Sequence, residues 1–381
     1  MPVIFLLAAF FAAIYGIKRF YKKIWSGNLQ VSIAFQDMPA NEGERGQLIE
    51  IIRNEKKYPL PVLNVKFQTS RYLRFSTEDS ASVSDLTYKN DIFALMPYQQ
   101  IKRTLTFECR KRGCYHIDRA ELVTGFMFFD EFYLDTRKQD TSIYVYPAIL
   151  ELPQLNCFLS QVIYSNKSSK RLYDDPFSFA GIREYQPYDP QKLINWKASA
   201  RQGSLMVNIR EYTSGQPVLI LVNLEKTVTW HMEAVLEESI RLAVTAADAF
   251  MREGIPVSVF TTHDKTGPTA MGCSEKTMDE INKRMALIEL SDDGESYEKW
   301  LSETVPLYAG DEYTYLCISH DETRQMYAAT ESFSCFVKEL WQIRPALLGT
   351  EPLPHSRRIH IYERSVSYNE QEYGHRPKDN P

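Results

Sequence analysis

Residues 176–210 read PFSFAGIREYQPYDPQKLINWKASARQGSLMVNIR, from Pro176 to Arg210. No other stretch of the chain sets so many polar residue types between apolar anchors: Arg183, Glu184, Tyr185, Asp189, Trp196, Lys197, Ser199 and Arg201. Pro187 and Pro190 bracket Tyr188 and Asp189 and mark a rigid turn, because proline fixes φ and removes a backbone donor. Gln191 to Arg201 then carries a helical pattern, with Trp196 and Ala200 four apart and Leu193 and Trp196 three apart. Gly203 is placed to end that helix. Leu205 to Ile209 alternates like a strand leaving it.

Downstream the period changes. Val218 to Val222 is a continuous apolar run after Pro217, which reads as a buried strand. His231 to Arg252 has the spacing of a helix, with Val235, Leu236, Ser239, Leu242, Ala243, Ala246 and Phe250 on or near one face. Gly254 caps it and Pro256 follows. Ile255–Phe260 and Tyr313–Ser319 read as strands. Glu275–Ile288, Tyr297–Glu303 and parts of Glu322–Trp341 read as helices. Such alternation implies a mostly parallel sheet covered by helices on both faces. His355–Tyr362 reads as one further edge strand, and residues 346–381 as a partly disordered tail.

Upstream, residues 29–147 are β-rich. Leu29, Val31, Ile33 and Phe35 alternate; so do Leu48, Glu50 and Ile52, and the odd positions of Ile101–Cys109. Turn residues recur at intervals that suit a sandwich. Residues 148–175 read as an exposed connector. Pro2 to Ile17 is continuously apolar and spans about 24 Å as a helix, against a hydrocarbon core of about 30 Å. Lys18, Arg19, Lys22 and Lys23 follow at once, and no charge precedes the run, which disfavours a secretory signal. Residues 1–25 are therefore expected to form a transmembrane helix. The positive-inside rule then puts the bulk of the chain in the cytoplasm of a single-pass protein of the cell membrane.

The 176–210 stretch resembles the bacterial domain-of-unknown-function 58 family, whose pattern runs R-E-Y-x-x-G-D-x-x-R-x-I-x-W-x-x-S-A-R and then L-x-V. The matching residues are Arg183, Glu184, Tyr185, Asp189, Ile194, Trp196, Ser199, Ala200, Arg201, Leu205 and Val207. Tyr188 stands where the family has glycine, and Lys192 where it has arginine. The resemblance implies an N-terminal membrane anchor, a β-sandwich at 29–147, and a von Willebrand factor A-like α/β domain at 176–345 that begins with the signature segment. It also implies partners: a MoxR-type AAA+ ATPase, often with a transglutaminase-like membrane protein.

Composition narrows the chemistry. The formal net charge of −5 argues against a general nucleic-acid binder. The six cysteines are scattered and form no secreted framework, which suits a reducing compartment. Cys109 and Cys114, with His116, read as a basic hairpin turn rather than a metal knuckle, since no second ligand pair follows. The first strand of the α/β region ends at Asn223, Glu225 and Thr227, which resemble the D-x-S-x-S metal turn of A-type domains without its leading aspartate. These three are the candidate ligands, with Mg²⁺ as the ion they would hold. The preferred reading is a degenerate A-type domain that binds protein and needs no cofactor. A hydrolase is the rival, using Ser199 with His231, His263 or His320, although no nucleophile elbow, phosphate loop or zinc motif is present.

Arg183, Glu184, Tyr185, Asp189, Trp196, Ser199 and Arg201 are the candidate binding residues, for a partner or at the domain junction. Their structural reading is a loop braced by arginine–carboxylate bridges with Trp196 packed beneath. Their functional reading is a docking face, since Arg, Tyr and Trp dominate interface energetics. The function these observations favour is a non-catalytic, membrane-anchored protein-interaction or assembly factor.

Overall fold

The computed structural model describes the chain except residues 1, 37–38, 76–79, 84–85, 126–131, 172–178, 187–193, 211–215, 228–231, 291–293, 309, 311–312, 322, 348–349, 351–358 and 367–381. Two compact units are present: 1–148 with 282–288, and 149–281 with 289–381.

The first unit opens with helix α1 (Pro2–Ile24) and continues as β1 (Leu29–Phe35), β2 (Ala40–Asn41), β3 (Arg45–Asn54), β4 (Leu60–Ser70), β5 (Leu73–Phe75), β6 (Ser80–Val83), β7 (Leu86–Leu95), β8 (Gln100–Cys109), β9 (Gly113–Gly125) and β10 (Phe132–Tyr146). These strands form a four-stranded sheet, β1-β3-β8-β5, and a six-stranded sheet, β2-β10-β9-β4-β7-β6. Every pairing is antiparallel except the short β2–β10 contact. Period-two alternation sends Leu48, Ile52, Leu63, Val65, Phe67, Leu105, Phe107, Leu122 and Ile143 into one core. The outer edge of β1 is covered by side chains. Gln139 accepts from Ile33 N at 2.9 Å and donates to Val31 O at 3.1 Å, and Thr141 Oγ1 accepts from Phe35 N at 3.2 Å. Both residues follow an irregularity in the β9–β10 register between Lys138 and Thr141, or lie within it.

One expectation is corrected here. Residues 2–24 are helical, but no helix among the described residues is long and apolar enough to cross a membrane. The transmembrane anchor, and the single-pass membrane localisation built on it, therefore do not stand. The last two turns of α1 pack on protein. Ile17, Phe20, Tyr21, Ile24 and Trp25 recur at helical spacing as one stripe. Trp25 is buried and Tyr21 packs against the sandwich core. The Tyr21 hydroxyl pairs with Thr124 Oγ1 at 3.2 Å. Lys56 donates from its ammonium to the backbone carbonyls of Ile24 and Trp25 and so caps the C-terminus of the helix. The apolar run that precedes these turns is about 24 Å long, short of a hydrocarbon core of about 30 Å.

The second unit begins with α2 (Pro153–Arg171), within the span read as a connector. Leu155, Phe158, Leu159 and Val162 recur at helical spacing and are buried. Phe158 stacks on Tyr362 and meets Trp341 edge-on. The signature segment follows as β11 (Phe179–Glu184), α3 (Trp196–Gln202) and β12 (Met206–Arg210). Next come β13 (Val218–Val222), α4 (Met232–Arg252), β14 (Val257–Thr261), α5 (Glu275–Leu287, of which 282–287 is counted with the first unit) and α6 (Tyr297–Lys299). Helix α6 runs on through a π-helical turn, Trp300–Thr304, and a 3₁₀ turn, Val305–Leu307. The chain continues as β15 (Thr314–Ile318), α7 (Arg324–Ser334), β16 (Leu340–Leu347) and β17 (Ile359–Val366). Five strands form one sheet in the order β14-β13-β15-β16-β17, and every pairing in it is parallel. Alternate residues feed opposite faces. Leu219, Leu221, Tyr315 and Cys317 pack with Tyr297, Trp300, Leu301, Met326 and Phe333. Helix α4 lies against the strands with Val235, Leu236, Leu242, Ala243, Ala246 and Phe250 buried.

Candidate functional site

Two places in the second unit gather polar side chains. The first is the carboxyl edge of the parallel sheet. Strand β13 is followed in sequence by β14 on one side and β15 on the other, so the order reverses there, which is where open α/β sheets place a crevice. Asn223, directly after β13, donates from Nδ2 to Ser319 Oγ at 2.9 Å. Ser319, directly after β15, donates to Asp321 Oδ1 at 2.6 Å. Gln342 on β16 donates to Asp321 Oδ2 at 2.6 Å, and Thr330 on α7 lies 3.4 Å from Asp321 Oδ1. Tyr297 on α6 pairs with Thr330 Oγ1 at 3.0 Å and with Cys317 Sγ at 3.1 Å. Arg344 donates from Nε to His320 O at 3.1 Å and pairs with Glu363 across β16 and β17 at 3.1 Å.

This edge is a closed network. Asn223, Ser319, Asp321, Thr330, Tyr297 and Gln342 are all buried. Burial pushes the Asp321 carboxyl up, opposed by hydrogen bonds from Ser319 and Gln342 and by the Arg344 charge. Burial likewise pushes the Cys317 thiol up to about 12, and the Tyr297 phenol well above its ordinary value. Asp321 adopts φ +41°, a left-handed conformation that aspartate tolerates better than most residues.

Of the candidate metal ligands Asn223 belongs to this network, and one oxygen each of Asn223 and Glu225 is committed to a backbone donor. Asn223 Oδ1 accepts from Glu225 N at 3.0 Å, and Glu225 Oε2 accepts from Tyr297 N at 2.7 Å. Thr227 is half-buried. A magnesium ion needs several free oxygens at octahedral positions, and this donor set, with two of its oxygens turned to backbone N–H groups, does not fit one. Among the described residues no group of three or more His, Cys, Asp or Glu is placed to hold a metal. Cys114 Sγ lies 3.2 Å from His116 Nε2, while Cys109 is buried at the end of β8.

The second place is the signature segment. Strands β11 and β12 pair antiparallel, with Arg183 opposite Val207 and Glu184 opposite Met206. Helix α3 starts at Trp196, later than the sequence pattern suggests, because Ile194 bridges to Val207 and Asn195 is the N-cap, accepting from Ala198 N at 3.0 Å. Gly203 closes the helix in the left-handed region at φ +73°. Ser199 ties helix to strand: its hydroxyl donates to Asn195 O at 2.8 Å and accepts from Met206 N at 2.8 Å. Tyr185 N donates to Leu205 O at 2.8 Å, and Arg183 Nη1 to Glu184 O at 3.0 Å.

Trp196 is not packed beneath this loop. It is 69% exposed, and Lys197, Ala200 and Arg201 are exposed with it. Positions 196 and 200, and 197 and 201, are each one turn apart, so these four residues form one outward face. Glu184 is exposed and Arg183 and Tyr185 are half-buried. Asp189, Tyr188 and Lys192 lie outside the described residues, as does His231. Ser199 Oγ bonds to the backbone atoms Asn195 O and Met206 N, and His263 and His320 lie just beyond the ends of β14 and β15. Cavities of about 740 Å³, lined in part by Tyr313, Tyr315, Ala328 and Phe333, and about 430 Å³, beside α1, are lined by none of these groups.

Sequence reasoning missed Ser319, Asp321, Gln342 and Arg344. The first two were within reach, since Ser-His-Asp directly follows an apolar strand and so falls on the carboxyl edge. Gln342 and Arg344 were hidden because β16 starts at the end of the span read as helical, Glu322–Trp341, and contains Pro345.

No family model matches the chain, and no curated protein matches it. Solved structures that match in part include the CARDB domain of the PF1109 protein from Pyrococcus furiosus, in complex with di-metal ions: 12% identity over 30% of this chain and 94% of that one, TM-score 0.20. Others are a PapD-like domain of human CEP192 (17% identity, 32% of this chain, 87% of that one, TM-score 0.20) and a non-cellulosomal cohesin from the archaeon Archaeoglobus fulgidus (14%, 30%, 91%, TM-score 0.19). At such identities and TM-scores these likenesses say nothing of what the chain binds or does.

Proposed function

We propose that the chain is a non-catalytic protein-interaction or assembly factor that docks its partner through the outward face of α3. The observation that carries this reading is the exposure of Trp196, 69%, on a helix whose serine is committed to structure. A large aromatic held in solvent on the same face as Lys197 and Arg201, on a helix fixed by a cap at each end, is the residue combination that anchors interfaces. The two cations favour an acidic partner surface. The resemblance of 176–210 to the domain-of-unknown-function 58 family supplies the partner class, a MoxR-type AAA+ ATPase, with a transglutaminase-like protein as a further member of the assembly.

The test is a binding titration between the full chain and the purified MoxR-type ATPase of the same organism. Trp196→Ala and the charge reversal Lys197→Glu/Arg201→Glu are each expected to weaken binding at least about thirtyfold, as a lost interface anchor of about 2 kcal/mol does. Because these side chains are exposed, the melting temperature should not change. Absence of binding by the wild-type chain, or undiminished binding by Trp196→Ala, overturns the proposal.

A further inference from the structure

The sandwich of the first unit holds a charged cluster where its two sheets face each other. Glu50 on β3 and Arg103 on β8 come from the four-stranded sheet, and Lys89 and Asp91 on β7 from the six-stranded one. Strand alternation sends Glu50, Lys89 and Asp91 inward, where all three are buried. Arg103 is partly exposed, and its Nη1 donates to Asp91 Oδ1 at 2.6 Å. The other three oxygens of the two carboxyl groups, both of Glu50 and Oδ2 of Asp91, are buried and meet no donor. The Glu50 carboxyl lies within hydrogen-bonding reach of the Asp91 carboxyl. Ionised carboxylates are acceptors only, so that contact is a bond only when one of the two carries a proton.

The surroundings select a proton over a metal ion. A hard cation such as Ca²⁺ takes about six to eight oxygens. Here three are on offer, beside a guanidinium and an ammonium that would repel the ion. Neither of those cations replaces the proton. Arg103 is held by Asp91, and Lys89, whose ammonium lies 6.0 Å from the Phe75 ring centroid, acts on Glu50 least of its charged neighbours. Strand β1, which pairs with the other side of β3, carries no ionisable residue.

We propose that Glu50 and Asp91 form a proton-operated latch between the two sheets: one shared proton joins β3 to β7, and its loss lets β7 open away from the four-stranded sheet while the rest of the fold persists. The latch is independent of the α3 face. Burial and the Asp91 charge push the Glu50 carboxyl up to about 7, which sets the latch near neutrality. Opening wets Glu50 and returns it toward 4.5, so opening releases a proton between these limits. Rising pH therefore favours the open form about tenfold per unit up to about pH 7, and no further above it.

The test is amide hydrogen exchange of the full chain from about pH 4.5 to about pH 8, with protection factors corrected for the intrinsic pH dependence of exchange. Amides of β7 should lose protection about tenfold per pH unit up to about pH 7 and level off above it. That exchange should be insensitive to low urea, as a local opening is, whereas β9 and β10 should exchange faster as urea is added. In Glu50→Gln the side-chain amide donates to Asp91 at every pH, so β7 protection should not vary with pH. A second measurement uses the wild-type chain alone: the Glu50 carboxyl carbon, assigned by carbon-13 NMR through its own side chain, should titrate near 7 and not near 4.5. The proposal is overturned by β7 protection that is independent of pH in the wild type, by β7 exchange that rises with urea in step with β9 and β10, by a pH slope that survives Glu50→Gln, or by a Glu50 resonance that titrates in the ordinary carboxylate range.

Discussion

Glu50 is 1% exposed on β3, directly opposite Arg103 on β8, and reaches toward Asp91 and Lys89 on β7 of the other sheet. Arg103 Nη1 lies 2.6 Å from Asp91 Oδ1. Burial and the neighbouring Asp91 carboxylate raise the Glu50 pKa from 4.5 to about 7, against the pull of Arg103. The folded chain therefore holds this proton more tightly than the unfolded chain does. The associated stability is complete below about pH 4.5 and is lost as pH rises toward about 7. Glu50→Gln, which keeps the shape and removes the charge, should flatten that slope and raise the melting temperature at about pH 8 while changing little at about pH 4. Thermal melts across that range check it; a wild-type slope of the opposite sign would falsify the assignment. At Ser199 the argument is geometric. Its hydroxyl is the acceptor for Met206 N, so Ser199→Ala should cost about 1–2 kcal/mol in chemical denaturation. The position of Glu50 between Leu48 and Ile52 is written in the alternation of β3, so its inward direction was legible. Its partners were not, because Asp91 and Arg103 reach it only through strand pairing across two sheets.

At the scale of elements, the connector became α2, and the end of the span read as helical became the start of β16. Helix α2 begins with apolar residues at helical spacing but ends in a polar run, and that run dominates a reading of the sequence by composition. Its second half is held by tertiary contacts: Asn166 donates to Gln216 O at 2.9 Å and to Thr314 Oγ1 at 2.8 Å. In β16, Pro345 sits within a paired strand, opposite Arg364 of β17, although proline within a run normally argues against a strand. The edge of β1 gives a prediction at this scale. Gln139→Ala removes both the acceptor for Ile33 N and the donor to Val31 O, so stability should fall by about 1–3 kcal/mol in urea. The uncovered strand edge should also make aggregation more dependent on concentration, as measured by light scattering. Helix α3 was legible in its C-terminus at Gly203 and in its polar inventory. Its start was displaced because Ile194 is taken up by a bridge to β12, a contact the helical spacing does not announce.

At the scale of the molecule, the carboxyl edge of the parallel sheet is held by one carboxylate. Asp321 receives hydrogen bonds from side chains that follow β15, sit on β16 and lie on α7. Asp321→Ala would leave the donors of Ser319 and Gln342 buried without acceptors. A loss of about 3 kcal/mol in urea denaturation is expected. Asp321→Asn keeps the left-handed backbone but presents an amide to the amide of Gln342, and should fall between wild type and alanine. Equal stability of all three proteins would show that the network does not hold the edge.

The sequence by itself determined what depends on near neighbours: the alternation of the sandwich strands, the strand–helix rhythm after Pro217, the stop at Gly203 and the polar density of 176–210. These follow from steric preferences and from side-chain periods of two and about 3.6 residues. Tertiary structure decided which way the polar residues face and what they meet. Trp196 is turned to solvent, Glu50 is buried with charges from the opposite sheet, and Asn223 and Glu225 are bound to protein donors. Tertiary structure also lays the end of α1 on the sandwich. The contacts responsible join residues far apart in the chain, as Tyr21 meets Thr124 and Asn223 meets Ser319. A local pattern can place a residue on a face of its own element, but only packing selects the partner, because burial free energy depends on what covers that face.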